Sequence, residues 1–261
     1  MLRELTKSDW LAILGLSPEL LPQALILRGT RNLKHHYQAY AEWFDDVAEV
    51  GSPNGAFEDV FIGRHGGVRV AYASVYGAAM ASEITHLFGV LGARLVIQTG
   101  CCGALADGFE AGDLFLATEA CCGEGAARYY LPDATMVRST VATGNVRPLA
   151  SHTDVRIHEG KIYTTAALLA EGNREIEAWH DAGFAAVDME TATTFAVAEH
   201  FGMDRASILF GFDNPRHKSH LLLTDTEKDV RRTRGNRAMI ELALAVIRDY
   251  SSASVCDGET D

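Results

Sequence analysis

Short apolar runs ending in glycine recur along the chain and set its rhythm. Ala24 to Leu27 has the continuous apolar character of a buried strand and stops at Gly29. Val60 to Ile62 and Val68 to Val75 alternate about Gly66-Gly67, which predicts a hairpin. Met80, Ile84, Leu87, Phe88 and Leu91 fall at helical spacing and predict a helix over 80–91 closed by Gly92. Leu95 to Ile97 runs into Gly100-Cys101-Cys102-Gly103, and Asp113 to Ala117 is a further strand. Ala185 to Met189 precedes a helical stretch from Glu190 to His200, and Ala206 to Phe210 ends at Gly211. A last helix is expected over roughly 226–250, amphipathic through Met239, Ile240, Leu242, Leu244 and Ile247. Ser251 to Asp261 reads as a frayed, acidic tail. Strands alternating with helices predict one α/β domain over 1–261, a mixed or mostly parallel sheet with helices on both faces. Ligands of such sheets bind beyond the carboxyl ends of strands, so the turns at Gly29, Gly77, Gly100, Met189 and Gly211 are where chemistry is expected.

Composition narrows the partners. Lys and Arg number 23 against 35 Asp and Glu, a net charge of −12, the wrong sign for a chain that grips nucleic acid. A few arginines and backbone N–H groups can still hold one phosphate locally. The 261 residues suffice for a large core without disulfides. The five cysteines include the adjacent pairs Cys101-Cys102 and Cys121-Cys122 and form no CxxC. Neither a zinc site nor a disulfide framework is indicated, and the cysteines read as small buried residues. No apolar run is long enough to span a bilayer. The start of the chain lacks a basic segment followed by an apolar one, so a reduced cytoplasmic location is expected.

Three turns carry candidate chemistry. In Gln98-Thr-Gly-Cys-Cys-Gly-Ala-Leu105, followed by Gly112-Asp113, glycines after a strand let the backbone approach a ligand. The pattern is neither GxGxxG nor a P-loop. In Val187-Asp-Met-Glu-Thr-Ala192, Glu190 either offsets a helix dipole or accepts two hydrogen bonds from a vicinal diol, with Met189 on the sugar face. In Phe210-Gly-Phe-Asp-Asn-Pro215, Asp213 is an ordinary turn residue or a half-buried general acid. Arg231, Arg232 and Arg234 form a basic cluster early in the last helix, and Arg216, His217, Lys218 and His220 form a basic loop.

Taken in this order, the three turns resemble the purine nucleoside phosphorylase and uridine phosphorylase superfamily, whose relatives include methylthioadenosine and S-adenosylhomocysteine nucleosidases. The resemblance runs from about Leu25 to Arg248 and is most specific at Met189-Glu190. It implies a single α/β domain around a mixed, partly barrel-like sheet, a homodimer or trimer of dimers, and cleavage of a nucleoside N-glycosidic bond. It implies further that Met189 and Glu190 bind ribose, with Asp188 where many relatives have Glu. Asp213 would be the acid that protonates a purine at N7, with Arg232 assisting, and Cys102, Gly103, Leu169 and Phe212 would line the base. The aspartate tilts the substrate toward purines.

The acceptor site departs from the family pattern. An arginine usually stands where this chain has Gln98, a Ser or Thr where it has Cys101, and the early phosphate loop reads Gly29-Thr-Arg31-Asn-Leu33. Arg28 or Arg31 is then left to hold phosphate beside Gly29. The uncharged Gln98 resembles the water-using nucleosidases, whose activating Glu is absent from 28–33. The expectation is phosphorolysis of a purine nucleoside with inorganic phosphate as co-substrate and neither metal nor organic cofactor. Hydrolysis by water is the alternative, and a nucleoside-binding protein without turnover is the reading from another class.

Overall fold

The computed structural model describes residues 1–50, 57–151, 153–217, 222–223 and 225–256, with side chains through 253. In chain order its elements are α1 (Lys7–Leu14), β1 (Ala24–Gly29), α2 (Leu33–Ala41), β2 (Asp45–Glu49), β3 (Val60–His65) and β4 (Val68–Val75). There follow α3 (Gly77–Leu91), β5 (Leu95–Ala104), β6 (Leu114–Cys122), β7 (Met136–Arg138), α4 (Thr143–Val146) and β8 (Ile157–Thr164). The chain ends with α5 (Asn173–Asp181), β9 (Phe184–Asp188), α6 (Thr191–His200), β10 (Asp204–Asp213) and α7 (Thr226–Cys256).

The predicted hairpin is present: β3 and β4 pair antiparallel about Gly66 and Gly67, whose φ of 57° and 85° only glycine adopts at no cost. Gly92 closes α3 in the left-handed conformation, as the sequence predicts. The sheet has a part that no local pattern announces. Strands β5, β9, β8, β6 and β10 pair in succession, and β10 returns to β5, closing a five-strand ring. From β5 the sheet continues outward as an open arm through β1, β4, β3 and β2.

Alternation along the arm sends side chains to two cores. Ile26, Tyr72, Leu95 and Ile97 pack with Met239, Leu242, Ala243 and Ile247 of α7 and with Tyr40 of α2. Leu25, Leu27, Ala71, Ala73 and Val96 pack on the other face with Ile84, Leu87, Phe88 and Leu91 of α3 and Trp10 of α1. A third cluster holds Ala104, Phe109, Phe115, Ile162 and Leu209 from the ring strands with Phe195 of α6. Helices thus cover both faces of the arm, and the mixed, partly barrel-like α/β architecture expected from the sequence is the one observed.

Several elements exceed or escape the expectation. Strand β10 runs to Asp213 and β6 to Cys122, because each has a ring neighbour along its whole length. Strand β2 is a mostly exposed edge strand of sequence DDVAE, and β8 is polar at most positions, so neither carries a hydrophobic signal. Helix α7 continues to Cys256, into the segment read as a tail; residues 257–261, like Lys218 and His220 of the basic loop, lie outside the described residues.

Ile97 is fully buried on β5, between β1 and β10. Ile97→Ala is expected to lower unfolding free energy by about 2–5 kcal/mol; urea denaturation with an unchanged m-value checks it.

Candidate active site

The site grows from a change of partners along β5. Its residues 95–100 pair in parallel with 24–29 of β1, Gly100 standing opposite Gly29. Three residues further, Gly103 and Ala104 pair instead with Val187 and Ala186 of β9, antiparallel. Leaving β9 the chain therefore turns back over the end of β1, and Met189 and Glu190 lie in that turn. Glu190 is buried, and its Oε1 accepts the Gly77 N–H at 2.7 Å. A Cβ on Gly29 would come 2.7 Å from Glu190 Oε2, so the glycine is what lets the carboxylate settle over the strand end.

Local chemistry frees Glu190 for this position. The N–H groups opening α6 are satisfied by others: Asp188 Oδ2 accepts from Thr191 N at 2.9 Å, and Thr164 Oγ1 from Ala192 N at 3.0 Å. Asp188 also accepts from the hydroxyls of Thr164 and Thr191. The helix-cap reading considered for Glu190 thus belongs to Asp188, and Asp188, named with the ribose group on resemblance, has both oxygens engaged inside the protein. Glu190 instead faces the N-terminus of α3, whose first residue is Gly77, where the helix dipole favours an anion.

Burial, and then the nearby Asp188, push the Glu190 carboxyl up to about 8, against the pull of the Gly77 and Met189 N–H groups and Arg28. Burial also raises Asp188, opposed by its threonine hydrogen bonds. Met189 is half-buried beside them.

Arg28 and Arg31 part company. Arg31 is exposed, its guanidinium 5.0 Å from the Tyr76 ring centre. Arg28 is 2% exposed, donates to Met239 Sδ at 3.3 Å and sits 5.6 Å from the Phe210 ring centre. Among the described residues its Nε has no hydrogen-bond partner and no carboxylate lies within ion-pair distance. Its charge reaches Glu190 and Cys101, and after burial it contributes to holding His36 down at about 4. Gln98 points the other way: Thr194 Oγ1 donates to its Oε1 at 2.7 Å and its Nε2 donates to the Thr99 carbonyl at 2.9 Å, tying β5 to α6.

Asp213 is re-aimed by an irregularity. Gly211 pairs with Cys102 and Asp213 with Gly103, so Phe212 is the extra residue of a bulge. Asp213 Oδ1 lies 3.5 Å from where a Gly103 Cβ would stand. Arg232 of α7 is buried against this turn: its Nε donates to the Phe212 carbonyl at 2.7 Å, its guanidinium lies 4.0 Å from the Phe212 ring centre, and Asp229 takes one terminal nitrogen at 2.7 Å. The other terminal nitrogen has no partner among the described residues.

Two residues named for the base are placed differently. Leu169 is 83% exposed on a short turn and buries nothing against this cluster. The Cys102 side chain packs inside the ring, leaving only its backbone to face a ligand. Burial holds the Cys101 thiol up at about 11 and raises Cys102 well above the ordinary range, so neither is a nucleophile near neutrality.

Glu171, which no sequence pattern marked, joins the group. It follows the Leu168–Ala170 turn, its Oε1 is buried with no partner among the described residues, and burial and then the Asp213 charge raise its carboxyl to about 7. The neighbouring Glu175 makes the cap hydrogen bond to Gly172 N at 3.1 Å, so Glu171 is not needed there. Its only signal in sequence is an acid amid the small and apolar residues Ala166 to Ala170.

The ligand atoms of Glu177, His180 and Asp181 lie within 4.8 Å of one another. Glu177 is already approached by Arg216 Nε at 3.7 Å and two of the three are exposed, so they form an ordinary surface cluster. A surface groove of about 470 Å³ lined by Thr118, Glu119, Arg138, Ser139 and Lys161 contains none of the candidate residues.

The raised Glu190 value has a signed consequence. Protonation favours the folded state, so the stability Glu190 confers is complete below about 4.5 and is lost as pH climbs through about 8. Glu190→Gln is therefore expected to melt above the wild type at about pH 9, by roughly 2–4 °C per kcal/mol regained, and to lose that advantage near pH 4. Calorimetry across this range checks the sign.

Comparison with known proteins follows the same geometry. A family model described as the phosphorylase superfamily matches residues 24–248. A guanosine phosphorylase of Halorubrum lacusprofundi is 32% identical over 138 residues, covering 50% of this chain and 54% of that protein, about half its length. A DeoD-type purine nucleoside phosphorylase of Pectobacterium atrosepticum is 27% identical over 220 residues, covering 78% and 84%. The solved uridine phosphorylase of Vibrio fischeri superposes with a TM-score of 0.75 at 20% identity, covering 89% of this chain and 94% of that one, a likeness of fold.

Proposed function

The chain belongs to the phosphorylase superfamily, an enzyme family of nucleoside phosphorylases, and we propose that it cleaves purine nucleosides by phosphorolysis to free base and ribose 1-phosphate. The observation that carries the acceptor is Arg28. A guanidinium 98% buried without a carboxylate partner among the described residues costs several kcal/mol unless an anion completes it. Phosphate beside Arg28, Gly29 and the Gly100 turn supplies that anion, and the displaced arginine stands in for the one that Gln98 lacks.

In this reading the bond from C1′ to the base nitrogen breaks with its electron pair leaving to the base, while a phosphate oxygen bonds C1′ from the opposite face. Positive charge grows on the sugar and negative charge on the base, so groups of opposite character are wanted on the two sides. Glu190 accepts the 2′- and 3′-hydroxyls, donors that draw its carboxyl toward the ionised form, and holds the ribose, with Met189 against its face. Asp213 acts as the general acid toward N7 of the leaving purine. Arg232, fastened to the Phe212 carbonyl, fixes the bulge that aims Asp213. Asp188 positions Glu190 through the α6 cap rather than touching substrate. Inorganic phosphate is the co-substrate, no organic cofactor takes part, and a cytoplasmic homo-oligomer, dimer or trimer of dimers, belongs to the same reading.

The names of the relatives support a nucleoside substrate: guanosine for one, purine nucleosides for others. A second reading, hydrolysis by water, is favoured by one observation, the amide of Gln98 spent inside the protein.

Product analysis on a nucleoside panel separates the readings. Phosphate-dependent ribose 1-phosphate is expected, whereas phosphate-independent ribose would favour water, and binding without product would leave a non-catalytic protein. Arg28→Met is expected to lower kcat/KM for phosphate at least about 100-fold while leaving the melting temperature unchanged or raised, because an unpaired buried charge is removed. Asp213→Asn is expected to lower kcat by about 100- to 10,000-fold on purine nucleosides; an equal loss on pyrimidine nucleosides in parallel assays would remove the purine assignment.

A further inference from the structure

Helix α2 is fastened over the end of β1 at two points. The Leu33 carbonyl accepts from Ser74 Oγ of β4 at 3.0 Å, and Ser74 stands opposite Arg28. Further along, the hydroxyl of buried Tyr40 donates to Thr99 Oγ1 of β5 at 3.1 Å, the Thr99 proton itself going to the Leu27 carbonyl, and Thr99 stands opposite Arg28 on the other side. His36 falls between these two points, four residues before Tyr40, and so shares the helix face that Tyr40 turns to the sheet. Its ring is half-buried and meets the ring of His35 edge-on at 5.2 Å between centroids, and among the described residues neither of its nitrogens makes a hydrogen bond. The donors at the strand end are poorly satisfied. Arg28 Nη1 and the Gly100 N–H both go to Met239 Sδ at 3.3 Å, a weak acceptor, and Arg28 Nε meets nothing among the described residues.

We propose that His36 is a second anion-binding group of the acceptor site and takes one proton from solvent as the phosphate dianion binds beside Arg28, so that imidazolium and guanidinium hold the anion together. This rests on the phosphorolysis reading above and adds to it a residue and a coupled proton. Two permanent cations side by side in a half-buried site would repel each other. Burial, then the Arg28 charge, then His35, hold the His36 ring down at about 4, so at neutral pH it adds no second cation beside Arg28. An oxyanion of charge −2 reverses that balance and favours the protonated ring, whose nitrogens then both donate. The other groups about His36 do not take this role. Lys34 of the same helix acts on Asp59 ahead of β3, Tyr37 donates to Glu49 of β2, and His65 of β3 faces the Trp43 carbonyl and Arg248 of α7. Burial keeps Tyr40, Tyr72 of β4 and Cys101 of β5 neutral, α7 contributes the Met239 thioether, and Glu190 lies over Gly29 within reach of the Arg28 charge.

The test uses sulfate, which keeps its charge of −2 across the range, as the probe in calorimetric titrations of the wild type, His36→Asn and His36→Gln. The window is about pH 5 to 7, above the His36 midpoint of about 4 and below that of Glu190 at about 8. In the wild type the sulfate Kd is expected to rise at least about 10-fold from the lower to the upper pH, because each bound anion requires a proton that becomes scarcer. Titrations at about pH 6 in two buffers of different ionisation enthalpy are expected to show uptake of about half to one proton per sulfate. Both variants are expected to bind sulfate with less than about 2-fold change over the window and no uptake, and to raise KM for phosphate at least about 10-fold with KM for the nucleoside unchanged. The wild-type measurements need no variant, and a second substitution guards against misfolding of the first. A wild-type Kd independent of pH, no sulfate binding by an enzyme whose turnover requires phosphate, or uptake retained in a folded variant would overturn the proposal and leave phosphorolysis in place. Absence of sulfate binding together with absence of phosphate-dependent product would overturn both.

Discussion

On one edge, strand β5 exchanges its neighbour along its length, while β10 follows its other edge, and the candidate site exists because of that exchange. Its first half lies in the open arm beside β1, its second half in the ring beside β9, and the exchange occurs between Gly100 and Gly103. Where one strand has ended and the other has not yet paired, backbone groups and side chains of both can reach the same space. The turn after β9 drops Glu190 over Gly29, the bulge in β10 brings Asp213 beside Gly103, and β1 ends with Arg28 below. A parallel sheet without the ring would place these residues on separate loops.

The exchange also concentrates unfavourable electrostatics. Glu190 and Asp188 are two carboxyls buried two residues apart, and only Asp188 is richly hydrogen-bonded. Arg28 is a buried cation whose Nε has no partner among the described residues. Glu171 is a carboxyl with a shielded oxygen that nothing among the described residues meets. Each is costly on its own, yet they gather within one region, while the surrounding sheet is apolar and tightly interlocked. A fold with cores on both sides of the arm can sustain such groups, and the anion and sugar diol of the proposed reaction would satisfy the first two.

Much of this was legible in residues 24–248. The glycine at the end of each apolar run located the strand ends, because only those positions need the backbone to turn sharply or another group to approach closely. Met189-Glu190 and Asp213 stood out as acids on such turns. Arg28 and Arg31 were indistinguishable in sequence, since both are arginines flanking one glycine; strand phase then buried the first among Phe210 and Met239 and exposed the second. Leu169 was drawn to the base by analogy, and a short turn presents it to solvent. Glu171 carried no motif, because a lone acid in a loop is normally solvated, and only its burial made it chemically distinct.

The sequence by itself determined the local elements, the turns and the residue types available at them, because hydrophobic period, glycine and caps act over a few neighbours. It also determined the net charge of −12, which argues against a nucleic-acid partner. Tertiary structure alone decided that five strands close into a ring, that Asp188 caps α6 and so releases Glu190, that Gln98 turns inward to Thr194, and which arginine is buried. Those outcomes depend on contacts between residues up to about two hundred positions apart, such as Arg28 with Met239, and no window of sequence contains both partners.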